Sequence, residues 1–392
     1  MNLRRLWVHR AAHLLGSGPL ALSRLNSGAQ TWKVLGGLLP LGATPSDSQA
    51  ESSTQRFAPV VRRALRFPQD HGAHPEHRTE WWYATGWLAR PGGTDFGFQV
   101  TFFRSATGYP TENPSRFAPR QLLLAHAAVA LPERGRLLHA ERSARAMQPM
   151  AHYSEEDTDI QIGAGARSWS LRRDPATDTY HARMESGDLG LELSLKAPDR
   201  PLLQGESGFS RKGPDPRQAS HYYSRPQLQV TGRVRMQPGQ QAPFPVRGLA
   251  WFDHEWSSEI LGENAVGWDW IGINLEDGGA LMAFCIRDAQ GKPLWHEASL
   301  REGATGRVRT GLKVTFEPVR YWQSVRSGAR WPIAQRLQIE EHAYQIEPLL
   351  EDQELVMRGV TYWEGAVTLS REGRRIGRGY LELTGYAGRV RL

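Results

Sequence analysis

The feature that most constrains the fold is a tryptophan-rich strand–turn–strand unit that occurs once in each half of the chain. In the first half, residues 80–88 (EWWYATGWL) lead through a turn rich in glycine at 90–95 into residues 96–102, where every second residue is apolar. In the second half, residues 267–275 (GWDWIGINL) turn at Gly278 and Gly279 and return as residues 280–287. Strict apolar alternation is typical of a strand with one buried face. The sequence therefore predicts two antiparallel hairpins and favours an internal duplication.

The rest of the chain favours an all-β fold in two domains. Glycine (40) and proline (25) are frequent among the 392 residues, and long apolar stretches of helical period are hard to find. The segment 237–245 (QPGQQAPFP) is poor in apolar residues and is the predicted boundary. We expect an N-terminal barrel over 61–240 and a C-terminal barrel over 246–392. Each half could supply about eight strands, and a closed barrel of that size can hold one small ligand.

Residues 1–60 differ from the rest and are expected to form a signal or a disordered segment. Arginines precede a short apolar stretch at 34–43, and a spacer rich in serine, threonine and glutamine follows. This order is typical of a secretory signal with cleavage near Ala43. No stretch reaches the ~18 apolar residues that a membrane-spanning helix needs. We therefore expect a secreted or periplasmic protein without a transmembrane segment, with a disordered cytosolic tail as the alternative.

Composition excludes several other classes of protein. The net charge of +7 comes from arginines spread along the chain rather than from a basic block interleaved with aromatic residues, so nucleic-acid binding is not expected. The only cysteine, Cys285, rules out an intrachain disulfide and lies in an apolar run, which predicts a buried thiol. No Gly-x-Ser-x-Gly segment is present, which disfavours a serine hydrolase of that type.

The segment 248–258 (GLAWFDHEWSS) contains the first candidate functional side chains. On a strand, Phe252, His254 and Trp256 share one face, while Asp253 and Glu255 lie on the other. A histidine between two aromatic rings is what the interior of a functional barrel would show, although such a histidine is more often a core residue whose hydrogen bonds are satisfied. Because the two acids point away from the histidine, a catalytic triad is a poor interpretation.

A second candidate is the aspartate between two indoles in the second hairpin. Alternation places Asp269 on the face opposite to Trp268 and Trp270. If Asp269 points inward, burial would raise its pKa and make it an acid. If the indoles point inward, Asp269 more plausibly anchors a contact between domains. Asp288, close to a predicted turn, is a further candidate acid, although a solvated carboxylate is the simpler interpretation.

Two other segments are predicted to be structural. His71, His74 and His77 are spaced at three residues, but Pro75 prevents the helix that would stack them, so no metal is expected. Residues 361–367 (TYWEGAV) and 377–386 (GRGYLELTGY) are expected to form the closing hairpin of the second barrel.

Together these segments resemble the carotenoid 1,2-hydratase/AttH-like family over about residues 66–392. The resemblance rests on the motifs at 74–83, 251–256, 267–270, 362–365 and 379–386. It implies two consecutive lipocalin-like antiparallel β-barrels and no cofactor. By the same resemblance, His254 and Trp256 match a functional His-x-Trp strand in the hydratase branch. The proton donor of that branch is an aspartate on a later strand, for which Asp269 and Asp288 are candidates. The AttH-like branch is associated with transporter-encoding gene clusters.

Two functions follow as expectations. The first is an exported lipocalin-like protein that binds an apolar, isoprenoid-like or lipid-like ligand as an accessory to an ABC transporter. The second is a cofactor-free hydro-lyase that adds water to an isoprenoid alkene through an aspartic acid. The substrate-binding residues expected for either function are Glu80, Trp82, Tyr83, Phe252, Trp268 and Trp270. If Asp269, His254 and Glu80 all face away from an enclosed cavity, the hydratase hypothesis fails.

Overall fold

The computed structural model describes residues 57–109, 113–115, 117–236, 242–357 and 360–390. Residues 1–56 of the predicted signal or disordered segment, among them Ala43, lie outside the described residues. Within the described ranges the chain consists of antiparallel strands with three short 3-10 turns, at Gln69–His71, Pro132–Arg134 and Gly165–Arg167. No helix in this part of the chain has the length and apolar character needed to span a bilayer.

A first sheet contains 13 strands from the N-terminal part of the described chain. Its strands are β1 (Thr79–Ala89), β2 (Phe96–Ala106), β3 (Gln121–Leu131), β4 (Arg136–Arg145), β5 (Ala151–Tyr153), β6 (Asp159–Ile162), β7 (Trp169–Asp174), β8 (Thr179–Glu185), β9 (Leu189–Lys196), β10 (Leu202–Leu203), β11 (Phe209–Arg211), β12 (Ala219–Met236) and β13 (Phe244–Glu259).

A second sheet contains the remaining 10 strands. They are β14 (Gly267–Leu275), β15 (Ala280–Arg287), β16 (Pro293–Arg301), β17 (Val308–Leu312), β18 (Val314–Gln323), β19 (Arg330–Ile339), β20 (His342–Pro348), β21 (Glu354–Val356), β22 (Thr361–Arg371) and β23 (Arg374–Leu383).

The two sheets follow the same strand order. The first runs β4-β3-β2-β1-β13-β12-β9-β8-β7-β6-β5, and the second runs β17-β16-β15-β14-β23-β22-β20-β19-β18. In each, the predicted tryptophan-rich hairpin (β1–β2 or β14–β15) lies beside the last strand of its own sheet. Arg142 on β4 donates to the backbone carbonyls of Ile162 and Glu185, so the far ends of the first sheet approach each other and the sheet curls into a barrel. The predicted all-β fold with two antiparallel barrels is confirmed.

The point where the chain passes from one sheet to the other differs from the expected boundary. β13 pairs with both β1 and β12, so it is a central strand of the first barrel. β12 ends at Met236, β13 begins at Phe244, and the second sheet begins only at Gly267. The chain therefore passes from one sheet to the other between β13 and β14.

Strands β1, β13 and β14 are buried on both faces because the barrels pack against each other. On β1, Trp82 and Ala84 lie in the core of the first barrel, while Tyr83 and Trp87 lie in a separate apolar layer between the barrels. On β14, Ile271 and Ile273 lie in the core of the second barrel, whereas Trp268 and Trp270 belong to the layer between the barrels. The paired aromatic residues of the first hairpin thus serve two hydrophobic cores, whereas both tryptophans of the second hairpin serve the layer between the barrels.

Candidate functional site

Glu80, at the start of β1, is the centre of a buried ionic network inside the first barrel. Its Oε1 lies 2.8 Å from His74 Nδ1 and 2.9 Å from His254 Nε2. Its Oε2 accepts hydrogen bonds from Arg104 Nε at 2.8 Å and from the backbone N–H of His74 at 2.9 Å. Burial alone would raise the pKa of Glu80, but the charges of Arg104 and His74 outweigh burial and hold it well below its usual range. Both oxygens of this carboxylate are therefore occupied.

His74 carries a charge that matches Glu80. Its Nε2 lies 3.0 Å from Asp70 Oδ1, and although burial disfavours a charged ring, Glu80 and Asp70 raise the pKa of His74 to about 9. Burial lowers the pKa of His254, whose Nδ1 lies 3.2 Å from the Tyr223 hydroxyl. The network therefore combines a buried ion pair with a neutral histidine.

Ligand atoms of His74, Glu80 and His254 lie within 4.8 Å of one another, which makes the trio a candidate metal site among the described residues. Zinc bonds of ~2 Å would hold two ligand atoms about 3.3 Å apart. The contacts of 2.8 and 2.9 Å are instead hydrogen-bond distances. Arg104 also donates to the same carboxylate, so a dication would lie against a guanidinium. The arrangement is that of hydrogen-bonded ion pairs and does not fit a metal ion.

The inner face of β13 is filled by stacked rings. His74 stacks on Trp256 with 3.7 Å between the ring centroids, and Trp82 stacks on His254 at 4.6 Å. Trp82, His254 and Trp256 are completely buried. The predicted shared face is present, but it forms a packed core.

This packing changes the roles that the sequence suggested for five residues. The catalytic candidates His254 and Trp256, and the ligand-binding candidates Glu80, Trp82 and Phe252, do not line the cavity described below. Phe252 packs against Tyr180 in the barrel core, with ring centroids 4.5 Å apart. Because stacked rings occupy the barrel interior, these side chains contact each other where a ligand was expected.

The two candidate aspartates also lie away from that cavity. Asp269 shares the inner face of β14 with Ile271, accepts a hydrogen bond from Arg287 Nε at 2.9 Å and another from the Tyr386 hydroxyl at 3.1 Å. Burial raises the pKa of Asp269, although Arg287 opposes the shift. Asp288 Oδ1 accepts the backbone N–H groups of Gln290 and Lys292 in a surface turn. Asp269, His254 and Glu80 are therefore all absent from the wall of that cavity, which disfavours a hydratase mechanism that depends on them.

An aromatic cavity of about 90 Å³ lies between the barrels, and we call it the interbarrel cavity. Its walls combine aromatic rings with four acids and one lysine. They are formed by Trp81, Tyr83, Phe103, Lys212, Asp253, Glu255, Ile260, Trp268, Trp270, Phe284, Ile286, Tyr362, Glu364 and Glu382. Tyr83, Trp268 and Trp270, which were predicted to bind the ligand, are among them. Both barrels contribute, so the cavity exists only when the two are packed together.

Two of the acids face each other on neighbouring strands of the second barrel. Glu364 on β22 and Glu382 on β23 are directly paired in the antiparallel register, which places their Cβ atoms about 5 Å apart. Burial, reinforced by the charge of Glu382, raises the pKa of Glu364 well above its usual range. Burial raises the pKa of Glu382 to about 7. Glu364 is therefore protonated at neutral pH, while Glu382 titrates near it.

The hydrogen bonds of Glu364 fix which oxygen carries its proton. Gln99 Nε2, from the first barrel, donates to Glu364 Oε2 at 2.6 Å. Glu364 Oε1 is buried and has no hydrogen-bond partner among the described residues. Because Oε2 accepts this hydrogen bond, we assign the proton of the neutral acid to Oε1. The Tyr83 hydroxyl lies beside this carboxyl group and lowers its pKa.

Asp253 is a third acid on the cavity wall. Its carboxylate accepts hydrogen bonds from the Tyr222 hydroxyl at 2.7 Å, from Ser224 Oγ at 2.5 Å and from Trp251 Nε1 at 2.7 Å. Burial raises the pKa of Asp253 to about 7, against the opposing effect of these donors. Its oxygens are occupied, so Asp253 is less suited than Glu364 to transfer a proton to a ligand.

The fourth acid forms an ion pair with the cavity lysine. Lys212 Nζ lies 2.9 Å from Glu255 Oε1, and both side chains are buried. The ammonium also lies 4.1 Å from the centroid of the Phe284 ring and 4.8 Å from that of Tyr222, within the range of cation–π attraction. This pair balances its own charge, so the proton chemistry of the cavity is left to Glu364 and Glu382.

A histidine of the first barrel contacts the cavity through a tyrosine of the second. His126 Nδ1 on β3 lies 2.8 Å from the hydroxyl of Tyr362 on β22, and the side chain of Tyr362 lowers the pKa of Glu364. Burial lowers the pKa of His126 to about 3, so its ring is neutral. His126 therefore positions Tyr362 without adding charge.

A second groove, of about 310 Å³, lies between Arg134–His139 and the segment around Glu354. Its one acid, Glu354, lies 3.2 Å from Arg326, which also pairs with Asp352. Its lining residues include one acid and no ring apart from His139, so we place the candidate site in the interbarrel cavity.

Sequence reasoning missed Glu364 and Glu382, because it assigned their segments to a closing hairpin. They do lie on the paired strands β22 and β23. The signal that could have revealed them is that each glutamate interrupts a strongly apolar run. Glu364 lies within residues 362–367 (YWEGAV), and Glu382 lies within residues 380–383 (YLEL). An ionisable side chain on a strand buried on both faces is costly and calls for a functional or ionic explanation.

Two antiparallel barrels with acids buried between them define a class of twin-barrel proteins with an interbarrel site. The sequence matches the AttH-like family over residues 58–386, and the chain therefore belongs to that family. A crystal structure of an AttH protein from Nitrosomonas europaea is similar, with 47% identity and a TM-score of 0.77, covering 84% of this chain and 99% of the other. A search of curated protein sequences found no significant match.

More distant structures share the fold. Kievitone hydratase from Nectria haematococca is similar, with 14% identity and a TM-score of 0.62, covering 85% of this chain and 98% of that enzyme. CghA in complex with Sch210972 has 11% identity and a TM-score of 0.50, covering 79% and 89% of the two chains. At these identities the likeness concerns the arrangement of the barrels.

Proposed function

We propose that this protein binds an apolar, unsaturated ligand in the interbarrel cavity and adds water to a carbon–carbon double bond by acid catalysis. The observation that carries the proposal is the neutral Glu364, whose unpartnered Oε1 lies in an aromatic cavity directly across from Glu382. A carrier of apolar ligands has no need of buried acids of raised pKa. Hydration of an unactivated alkene, by contrast, requires a protonated acid that is shielded from water.

The two glutamates suffice for a balanced reaction. Glu364 transfers its Oε1 proton to one alkene carbon, and the electron pair of the double bond forms the new C–H bond. The other carbon becomes a carbocation, to which the oxygen of a water molecule adds. The carboxylate of Glu382 takes the proton that this oxygen releases. Proton transfer from Glu382 back to Glu364 restores the starting state, so the net change is alkene plus water to alcohol.

The aromatic wall suits the cationic intermediate. Trp81, Trp268 and Trp270 lie on the cavity surface. The face of an aromatic ring attracts a cation by about 0.5–2 kcal/mol, and indole is the most effective of the natural rings. The wall therefore favours the transition state over the neutral alkene, as catalysis requires.

Two findings support this proposal without deciding it. The chain belongs to the AttH-like family, and a protein with the same fold carries the name kievitone hydratase. The direct test is to incubate the purified protein with lycopene and with a prenylated phenol in H₂¹⁸O and to analyse the products by mass spectrometry. We expect an alcohol that carries one ¹⁸O atom. Recovery of unchanged alkene from every probe would contradict the proposal.

The pH dependence of the rate follows from the two raised pKa values. Glu382 must be ionised to accept a proton, so kcat should rise as pH passes through about 7. Glu364 must be protonated, and its pKa lies well above the usual range, so kcat should fall again at higher pH. We expect a bell-shaped profile when kcat is measured from about pH 5 to about pH 10. In Glu382→Gln the rising limb should disappear, whereas in Asp253→Asn it should remain.

A second function, the transport of an apolar ligand without chemistry, is favoured by the aromatic lining of the cavity. In that case Trp268→Ala should weaken binding of the fluorescent probe 1-anilinonaphthalene-8-sulfonate about 10-fold or more, since a buried aromatic side chain contributes roughly 1.5–3 kcal/mol. Titration followed by fluorescence measures the affinity. Trp322→Ala, a change outside the cavity, is the control and should leave the affinity unchanged. Equal affinities of wild type and Trp268→Ala would place the probe elsewhere.

Export and a role beside an ABC transporter remain part of the proposal for the second function. Both rest on the sequence of residues 1–60 and on the family resemblance. Fractionation of the source cells would test export, and co-purification with a membrane-bound transporter would test the partner. A full-length protein that stays in the cytosol would contradict both.

A further inference from the structure

At the cavity wall and directly behind it, five buried oxygens have no hydrogen-bond partner among the described residues. They are Tyr83 Oη, Thr85 Oγ1, Gln99 Oε1, Glu364 Oε1 and Tyr380 Oη. Each of these side chains is at least nine-tenths buried, and Thr85 is completely buried. An unsatisfied buried polar atom costs about 1–3 kcal/mol, so a native fold rarely tolerates several in one region.

The strand register brings these atoms together. Tyr83 and Thr85 share one face of β1, and Thr85 pairs directly with Gln99 on β2. Gln99 reaches across the barrel interface to Glu364, to which it donates at 2.6 Å. Tyr380 also approaches β2, because a Cβ atom added at Gly97 would lie 2.6 Å from its hydroxyl. Gly97 and Gln99 are two residues apart on one strand face.

The group lies at the inner end of the interbarrel cavity. Tyr83 and Glu364 form part of the cavity wall, whereas Thr85, Gln99 and Tyr380 do not. Three hydroxyls can donate as well as accept, the Gln99 carbonyl accepts, and the Glu364 carboxyl group can do either. A buried water molecule typically makes about three hydrogen bonds to polar groups of this kind.

We propose that these five oxygens form a water-binding site at the inner end of the cavity, and that this site supplies the water for hydration. The second part rests on the function proposed above, whereas the first part does not. The water enters the reaction at the boundary of site and cavity, where Tyr83 and Glu364 face both. Its oxygen forms the new C–O bond, and its released proton passes to Glu382.

Removing single oxygens from the water-binding site should change the ratio of the products. Tyr380→Phe and Thr85→Val each delete one hydroxyl and keep the shape of the side chain. If water is held less well, the carbocation lives longer and loses a proton to give an isomerised alkene. We expect the alcohol-to-isomer ratio to fall about 10-fold while KM stays the same. The control Tyr344→Phe, which removes a hydroxyl in the second barrel away from the cavity, should leave the ratio unchanged.

A crystal structure of the full chain at high resolution tests the binding site without any substrate. We expect ordered water within hydrogen-bond distance of at least two of the five oxygens, and loss of that water in Tyr380→Phe. Direct hydrogen bonds from Tyr83 to Glu364 and from Tyr380 to Gln99, with no water between, would overturn the inference.

The crystal structure and the product assay separate the two proposals. Ordered water in the site together with no hydration of any probe would remove the proposed function and its use of the water, and would leave the binding site standing. Hydration with an unchanged product ratio in both Tyr380→Phe and Thr85→Val would remove the water supply from this site and leave the proposed function standing.

Discussion

Glu364→Gln is expected to lower the rate of hydration by a factor of about 10²–10⁴, the usual contribution of a positioned general acid. The amide has nearly the shape of the carboxyl group and can still accept the hydrogen bond from Gln99 Nε2. It has no proton acidic enough to transfer to an alkene. Ligand affinity should therefore remain close to that of the wild type while kcat collapses. Single-turnover kinetics with lycopene, alongside equilibrium binding, separates the two effects.

The controls for Glu364→Gln are acid-to-amide changes at two positions outside the cavity. Asp288→Asn makes the same acid-to-amide change in an exposed turn and should leave kcat unchanged. Asp269→Asn alters a buried ion pair away from the cavity, so it should affect stability more than turnover. Full activity in Glu364→Gln, with loss of activity in folded Asp269→Asn, would restore the assignment first made from the sequence and contradict the one proposed from the structure.

The fold could be predicted from local sequence because alternation and turn chemistry are local signals. The two hairpins were visible as apolar alternation closed by glycine turns, and both lie where they were expected. The position of β13 was not visible in this way. Its partners, β1 and β12, lie on either side of it only after the sheet has curled, and nothing in residues 244–259 alone specifies that arrangement.

The site was harder to predict because the barrels bury both faces of their shared strands. Asp253 and Glu255 were correctly placed opposite His254, and a catalytic triad was judged a poor interpretation from that placement. In a single barrel the opposite face would meet solvent. Here it meets the second barrel, so these acids line the interbarrel cavity and His254 lies in a filled core. A sequence pattern reports which residues share a face, but it does not report what that face meets.

The sequence held a second signal whose meaning became clear only in the structure. Each hairpin begins with an acid and ends with an arginine, and in both barrels these close on each other: Glu80 with Arg104, and Asp269 with Arg287. All four side chains are buried. Asp269, a candidate catalytic acid, and Glu80, a candidate substrate-binding residue, are therefore both members of ion pairs inside the barrels. An acid with an arginine at the matching end of the next strand is best interpreted as part of a structural ion pair, unless the structure shows a cavity beside it.

Arg104→Met is expected to lower the free energy of unfolding by about 3–5 kcal/mol, because removing one partner of a buried ion pair leaves the other charge uncompensated. Arg104 is completely buried, donates to Glu80 and also holds the backbone carbonyls of His74 and His77 at 2.9 and 3.0 Å. Methionine fills most of the volume but satisfies none of these acceptors. Urea-induced unfolding, followed by tryptophan fluorescence, measures the loss.

A variant of a surface ion pair is the control for the unfolding measurement on Arg104→Met. Arg62 pairs with Glu206 at the surface, where both side chains are about 60% exposed, and Arg62→Met should cost no more than about 1 kcal/mol. If the loss in Arg104→Met comes from a stranded charge, adding Glu80→Gln should recover part of it, so the double variant should be more stable than the sum of the single effects predicts. Strict additivity, or equal costs for Arg104→Met and Arg62→Met, would show that Glu80 and Arg104 do not act as a buried pair.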